Sequence, residues 1–301
     1  MAQSMQGSFR LFRVLGINVF LHWSWFLVAF YQIQSRSNRY GNILWDVLEY
    51  LALFLIVLLH EFGHALACRQ VGGRAEQIVL WPLGGIAYVS PPQRPGAMLW
   101  SIAAGPLVNA ALFLVLGFFL LLDRFAGYPA RESNIHSFLF MVWIINLVIM
   151  IFNLLPIYPL DGGQILRSLL WFKFGRAKSL MIAAIIGFIG VGALLLYALW
   201  IGSVWTGIMA AFILMNCWRA LSHVRTWSSI AKAPQREGIA CPKCKSPAPR
   251  GAFWICTNCR NPLDPFALDG TCFQCKTPFS TAICPECNAS SPLDAWITPA
   301  S

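Results

Sequence analysis

The sequence predicts an all-α membrane protein of six transmembrane helices, with a small membrane-surface β element and a small cysteine-rich C-terminal domain. Three observations support this. Of 301 residues, 57% are hydrophobic and 11% charged, with a mean hydropathy of +0.61, so most of the chain has no aqueous surface to cover. Apolar stretches near 17–34, 43–68, 97–122, 135–155, 179–200 and 203–218 each approach the length of about 20 residues that a spanning helix requires. From Thr226 the pattern changes, and a polar stretch without periodicity leads into eight cysteines arranged as four Cys-x-x-Cys pairs.

The elements follow in chain order. Arg10 and Arg13 precede the first run as they would in a signal peptide, but no small-x-small cleavage site follows, so the segment is expected to be retained as a helix. The second run ends in His60-Glu61-Phe62-Gly63-His64. Residues 72–95 then break the helical pattern with two β-favouring pieces, Gln77 to Trp81 and Ile86 to Val89, separated by Pro82 and Gly84-Gly85. A strand pair at the membrane surface is expected there, a plain connecting loop being the alternative. The third run carries Gly105, Pro106 and Asn109. The fourth leads into Asn153 to Gly163, where Pro156 and Pro159 end the helix and Gly162-Gly163 let the backbone turn. Gly187, Gly190 and Gly192 in the fifth run mark close helix packing. The expected domains are a membrane domain over 1–225, a linker over 226–240 and the cysteine-rich tail over 241–296.

The formal charge of +10 is spread over short loops and the tail, which suits orientation in a bilayer better than nucleic-acid binding. With the N-terminus in the cytosol, inside loops carry Arg10, Arg13, Arg69, Arg74, Arg94, Arg167, Lys173, Arg176 and Lys178. Outside loops carry Arg36, Arg39, Arg124 and Arg131. This bias predicts a multi-pass protein of the cell membrane with both termini cytosolic.

The chemistry centres on residues 60–64. Two histidines four apart share a helix face and can hold one zinc ion, and the glutamate beside the first can act as a general base. Charge inside a spanning helix is expensive and tends to be functional, the alternative being a helix end whose polar residues reach the interface. A catalytic zinc takes three protein ligands and keeps one position open, so a third is needed. Asp161 is the strongest candidate, because a carboxylate in so apolar a setting needs a cation; as an alternative, it could cap the helix starting at Gly162. Alternating helix directions bring His60, His64, Asp161, Gly105, Pro106 and Asn109 to one depth, near the cytosolic side.

Together with His22-Trp23-Ser24-Trp25-Phe26, Pro82-Leu83-Gly84-Gly85, Gly105-Pro106-Leu107-Val108-Asn109 and Asn153 to Gly163, the His60 motif makes the chain resemble the site-2 protease family of intramembrane zinc metalloproteases, in its compact bacterial or archaeal form, over about residues 15–220. The resemblance implies that His60, His64 and Asp161 bind a catalytic zinc and that Glu61 is the general base. It also implies that Asn109 helps hold substrate or oxyanion, and that the strand region at Gly84 and Gly85 pairs with an unwound substrate segment. For Asn109 the competing reading is a bond across a helix contact at Ala103-Ala104-Gly105. The implied activity is endopeptidase cleavage of transmembrane segments near the cytosolic side, as in regulated intramembrane proteolysis. His22 is read as a packing or interface residue, His136 and His223 as snorkelling near helix ends, and Cys68 and Cys217 as buried thiols.

The tail pairs Cys241/Cys244, Cys256/Cys259, Cys272/Cys275 and Cys284/Cys287 suit tetrahedral zinc thiolate sites, whereas disulfides would be reduced in a cytosolic tail. Joined in sequence order they give two zinc ribbons, although spacing alone leaves the pairing open. The tail resembles a double zinc ribbon, which implies a protein or nucleic-acid partner. Glu237, Asp264, Asp269, Glu286 and Asp294 offset its basic residues and make nucleic acid the weaker choice. Trp254, Phe266 and Trp296 are read as ribbon core. The expected cofactors are one catalytic and two structural zinc ions. The expected partners are a membrane-spanning protein substrate and a cytosolic protein bound at the ribbons; oligomeric state is left open. Two other functions compete: a catalytically silent membrane scaffold that recruits partners through its ribbons, and a zinc transporter. Glu61 argues against the first, and polar residues gathered at one depth argue against the second.

Overall fold

The computed structural model of the protein describes residues 7–36, 40, 42–81, 84–125, 134–268, 271–287 and 289–297; Arg39, Pro82, Leu83, Arg131 and Asp269 lie outside them. The chain divides into two units, Met1–Trp218 and Arg219–Ser301.

The first unit opens with a hairpin. Strands β1 (Ser8–Val14) and β2 (Ile17–His22) pair antiparallel around Leu15-Gly16, whose φ values of 50° and 73° suit the two-residue turn that matches strand twist. The helix expected over 17–34 is therefore a strand in its first part. Ile17, Val19 and Leu21 are buried while Asn18 and Phe20 are half-buried, a period of two that overall hydrophobicity hides. Helix α1 (Trp25–Arg36) has only 12 residues, about 18 Å at a rise of about 1.5 Å per residue, too short for a hydrocarbon core of about 30 Å.

Four helices among the described residues are long and apolar enough to cross a membrane, where six were expected: α2 (Ile43–Gln70), α3 (Pro95–Phe125), α4 (Asn134–Leu154) and α5 (Asp161–Ile201). Helix α6 (Val204–Lys232) follows, apolar in its first half and polar from Arg219. Helix α5 merges two pieces across Gly175, which has φ 77° and ψ 171°.

The expected strand pair is present as β3 (Arg74–Trp81) and β4 (Gly84–Ser90), but it forms half of a four-stranded sheet in the order β1-β2-β3-β4. β2 and β3 run parallel, so α1 and α2 together make the crossover between them. The inner face of the sheet, Ile17, Val19, Leu21, Ile78 and Leu80, packs on Leu58, Ala65 and Cys68 of α2. Asn42 caps α2 by accepting from the Leu44 amide at 2.9 Å, and Gly72, with φ 84°, lets the chain close the other end through Gly73 N–H to the Cys68 carbonyl at 2.9 Å. Arg69 then donates to the Leu15, Gly16 and Ala75 carbonyls and ties the hairpin turn to the helix end. A Cβ on Gly63 would lie 2.8 Å from the Ala104 carbonyl oxygen, so α2 and α3 meet through a small-residue contact.

Among the described residues, the second unit holds three two-stranded sheets: β5 (Gln235–Ala240) with β6 (Pro247–Pro249), β7 (Trp254–Ile255) with β8 (Pro262–Leu263), and β9 (Thr281–Ile283) with β10 (Ser290–Pro292). The stretch 226–240, expected to be a linker, is helical to Lys232 and then forms β5. Phe266 packs against Trp254 and Trp296 at ring-centroid distances of 5.4 and 5.2 Å, the core role expected of the three aromatics.

Candidate metal centre

His60 and His64 lie one turn apart near the middle of the second half of α2, with Glu61 between them; all three are buried. Asp161 opens α5 after the loop that follows α4. Residue Leu160 occupies the cap position and the Asp161 side chain makes no cap bond, so the capping alternative is not adopted. The glycines after it are required by crowding: a Cβ on Gly162 or Gly163 would overlap the backbone of Leu154 or Ile157. Asp161 Oδ2 thereby reaches 2.9 Å from His60 Nε2 and 3.3 Å from His64 Nε2, and the two Nε2 atoms are 3.0 Å apart.

The outer ring nitrogens decide what this cluster can hold. His60 Nδ1 lies 2.9 Å from Asn109 Oδ1, and His64 Nδ1 lies 2.9 Å from the Ser101 carbonyl. Both partners are acceptors, so each Nδ1 donates and each Nε2 keeps its lone pair. Two lone pairs and a carboxylate oxygen with no donor of its own then converge in a buried space. Such a trio repels itself unless a cation sits among it, and His₂-carboxylate is a zinc donor set. The residues present therefore fit the metal.

The surroundings leave room for the rings and little else. A Cβ on Gly105 would lie 2.8 Å from His60 Nε2 and overlap the His64 ring. Gly105→Ala should accordingly lower bound zinc well below the wild-type content; wild-type metal content in that variant would show that the rings have space to spare.

Glu61 faces the sheet. Its Oε2 accepts from the Ala87 amide of β4 at 3.0 Å, and a Cβ on Gly85 would overlap its carboxylate. Gly85, expected to serve substrate pairing, thus also makes room for Glu61; Gly84 pairs with Trp81 at the mouth of the β3–β4 hairpin. Asn109 is fully buried behind His60, with its side-chain oxygen bonded to that ring, while its Nδ2 has no partner among the described residues. Ser101 and Asn146, which the sequence reasoning passed over, stand behind the rings. Asn146 donates to the Asn109 carbonyl at 2.9 Å, and a lone amide in the middle of an apolar helix was the signal available for it. His22 stacks on Trp81 at 3.9 Å and bonds Ser24, away from the cluster, as a packing residue.

The tail cysteines form two further clusters: Cys241, Cys244, Cys284 and Cys287, and Cys256, Cys259, Cys272 and Cys275. Pairing in sequence order is overturned, since the second and third knuckles share one cluster while the first and fourth share the other. Sulfur separations of 3.6 to 3.7 Å match the edge of a tetrahedron with Zn–S bonds of about 2.3 Å and are far beyond a disulfide bond of about 2.05 Å. In each knuckle the first cysteine amide is bonded locally, for example Cys241 N–H to the Ser246 carbonyl at 2.9 Å. The Thr277 hydroxyl, 3.1 Å from Cys275, and the Thr277 amide hold that thiol down at about 6, ready to ligate as thiolate.

Comparison with known proteins agrees with this geometry. The profile of Peptidase family M50 matches residues 49–128 and 124–197. A zinc metalloprotease of Methanocaldococcus jannaschii is 37% identical over 185 residues, covering 61% of this chain and 51% of that protein. Stage IV sporulation protein FB of Bacillus subtilis is 38% identical over 120 residues, covering 38% of each. The chain thus spans about half or less of the length of these curated relatives. The solved structure of a site-2 protease from Methanocaldococcus jannaschii superposes with a TM-score of 0.52 at 32% identity, covering 71% of this chain and 94% of that one.

Proposed function

The chain belongs to peptidase family M50, the site-2 protease family, and on that premise we propose that it is an intramembrane zinc endopeptidase that cleaves transmembrane segments of other proteins near the cytosolic side. The observation that carries this is the His60, His64 and Asp161 trio, whose three inward acceptors need a cation, with the unligated Glu61 carboxylate beside it. Zinc held there would polarise a peptide carbonyl and acidify water. Glu61, oriented by the Ala87 amide, takes the proton from the attacking water and passes it to the leaving amine. β4 is a terminal strand of its sheet, so its outer edge can take an unwound substrate as an added strand beside Glu61. A helical substrate must unwind because its carbonyls are otherwise spent within the helix.

The same reading assigns two structural zinc ions to the thiolate clusters, a cytosolic protein partner to the tail, and a multi-pass topology with both termini cytosolic. The scaffold alternative leaves the buried Glu61 carboxylate without a purpose. Purified protein reconstituted with a single-pass test substrate should cut it, stop on chelation and resume on zinc addition, whereas His60→Ala and Asp161→Ala should stay silent after zinc. Cleavage that survives chelation would sink the metal reading, and labelling of Ser301 from outside intact cells would sink the orientation.

A further inference from the structure

Two amides lie behind the metal trio, on helices α3 and α4. Asn109 on α3 and Asn146 on α4 are both fully buried. Asn109 Oδ1 meets His60 Nδ1 at 2.9 Å, and Asn146 Nδ2 donates to the Asn109 backbone carbonyl at 2.9 Å. Their remaining polar atoms, Asn109 Nδ2 and Asn146 Oδ1, have no partner among the described residues. Each such atom in a low-dielectric interior is costly, so the pair is a net burden unless its other bonds matter.

What those bonds do follows from proton placement. If the Asn109 carboxamide were turned round, Nδ2 would face His60 Nδ1, the ring proton would move to Nε2, and a hydrogen would point at Asp161 Oδ2 where a cation belongs. Oδ1 facing His60 therefore sets the tautomer that leaves Nε2 free to ligate. The position of Asn109 is in turn held by Asn146, which grips the α3 backbone at that residue.

We propose that Asn109 and Asn146 are a positioning pair for the metal: Asn109 fixes the His60 tautomer, and Asn146, by anchoring Asn109, makes α4 a determinant of metal affinity without touching the metal. This rests on His60 being a zinc ligand. The pair is distinguishable from mere packing because leucine keeps the branched outline of asparagine but accepts no bond, while aspartate, close to asparagine in size, keeps the acceptor.

The test is zinc retention by the full chain in a chelator titration, with His60→Ala run in parallel to define the zinc held by the tail. Asn109→Leu should weaken the His60-dependent zinc by roughly 10–100-fold, the usual cost of losing an outer-shell partner, and Asn109→Asp should hold it close to wild type. Asn146→Leu should weaken it measurably but less, up to about tenfold, being one step further away. Wild-type retention in Asn109→Leu, or equal loss in the Leu and Asp variants, overturns the proposal. If Asn109→Leu does not fold, wild-type retention in Asn146→Leu overturns it equally. A His60→Ala protein that keeps all its zinc would instead refute the metal reading beneath it.

Discussion

Glu61→Gln is expected to lower cleavage of a transmembrane substrate by roughly 10²–10⁴-fold, the range general acid–base groups supply, while leaving zinc content unchanged. The two effects separate because Glu61 is outside the acceptor trio: His60, His64 and Asp161 point at one another, whereas Glu61 Oε2 is bonded to the Ala87 amide at 3.0 Å. Glutamine can keep that bond through its own oxygen, so the side chain stays in place and only the capacity to take a proton is lost. Cleavage rate and metal analysis on the same preparation give the answer. Turnover at the wild-type rate would remove Glu61 from the mechanism, and loss of zinc along with activity would make it a ligand.

The parts of the site legible in the sequence were those set by local geometry. His60 and His64 share a helix face because four residues make about one turn, and Asp161 could be placed because Pro156, Pro159 and the two glycines end one helix and start another. What stayed hidden depended on partners distant in the chain. Ile17, Val19 and Leu21 are as apolar in a strand as in a spanning helix, and only pairing with β1 and β3 decides between them. Asn109 stood out as a polar residue in a spanning segment, but its bond to His60 depends on the packing of α3 on α2. Asn146 belongs to no local motif, so nothing short of the packing of α4 on α3 could connect it to His60. The cysteine spacings were equally silent on pairing, since four identical knuckles fit a nested or a sequential arrangement.

The nested arrangement makes the second large prediction. Replacing Cys241 and Cys284 together by alanine should remove one tail zinc, because both belong to one cluster; sequential pairing would place them in different clusters and cost two. Full-length protein expected to hold about three zinc ions would fall to about two in the first case and about one in the second. Metal analysis of the double variant therefore decides the pairing directly. The two sites should also depend on each other. The outer cluster joins cysteines 40 residues apart, Cys244 to Cys284, and the inner one joins Cys259 to Cys272 across 13. With the inner cluster closed, the free chain between Cys244 and Cys284 falls to about half, which makes closing the outer loop cheaper by about 0.6 kcal/mol from the logarithmic growth of loop entropy. Zinc in the inner cluster ties off part of that loop, so Cys256→Ala with Cys272→Ala should also loosen the outer zinc by about threefold, the equivalent of about 0.6 kcal/mol. Coupling between two binding sites is reciprocal, so loss of the outer site should loosen the inner zinc by the same factor. Chelator titration of the two double variants should thus show each remaining zinc weakened by the same small factor; no change in either would mean that the two clusters bind independently in spite of their shared contact, Trp254.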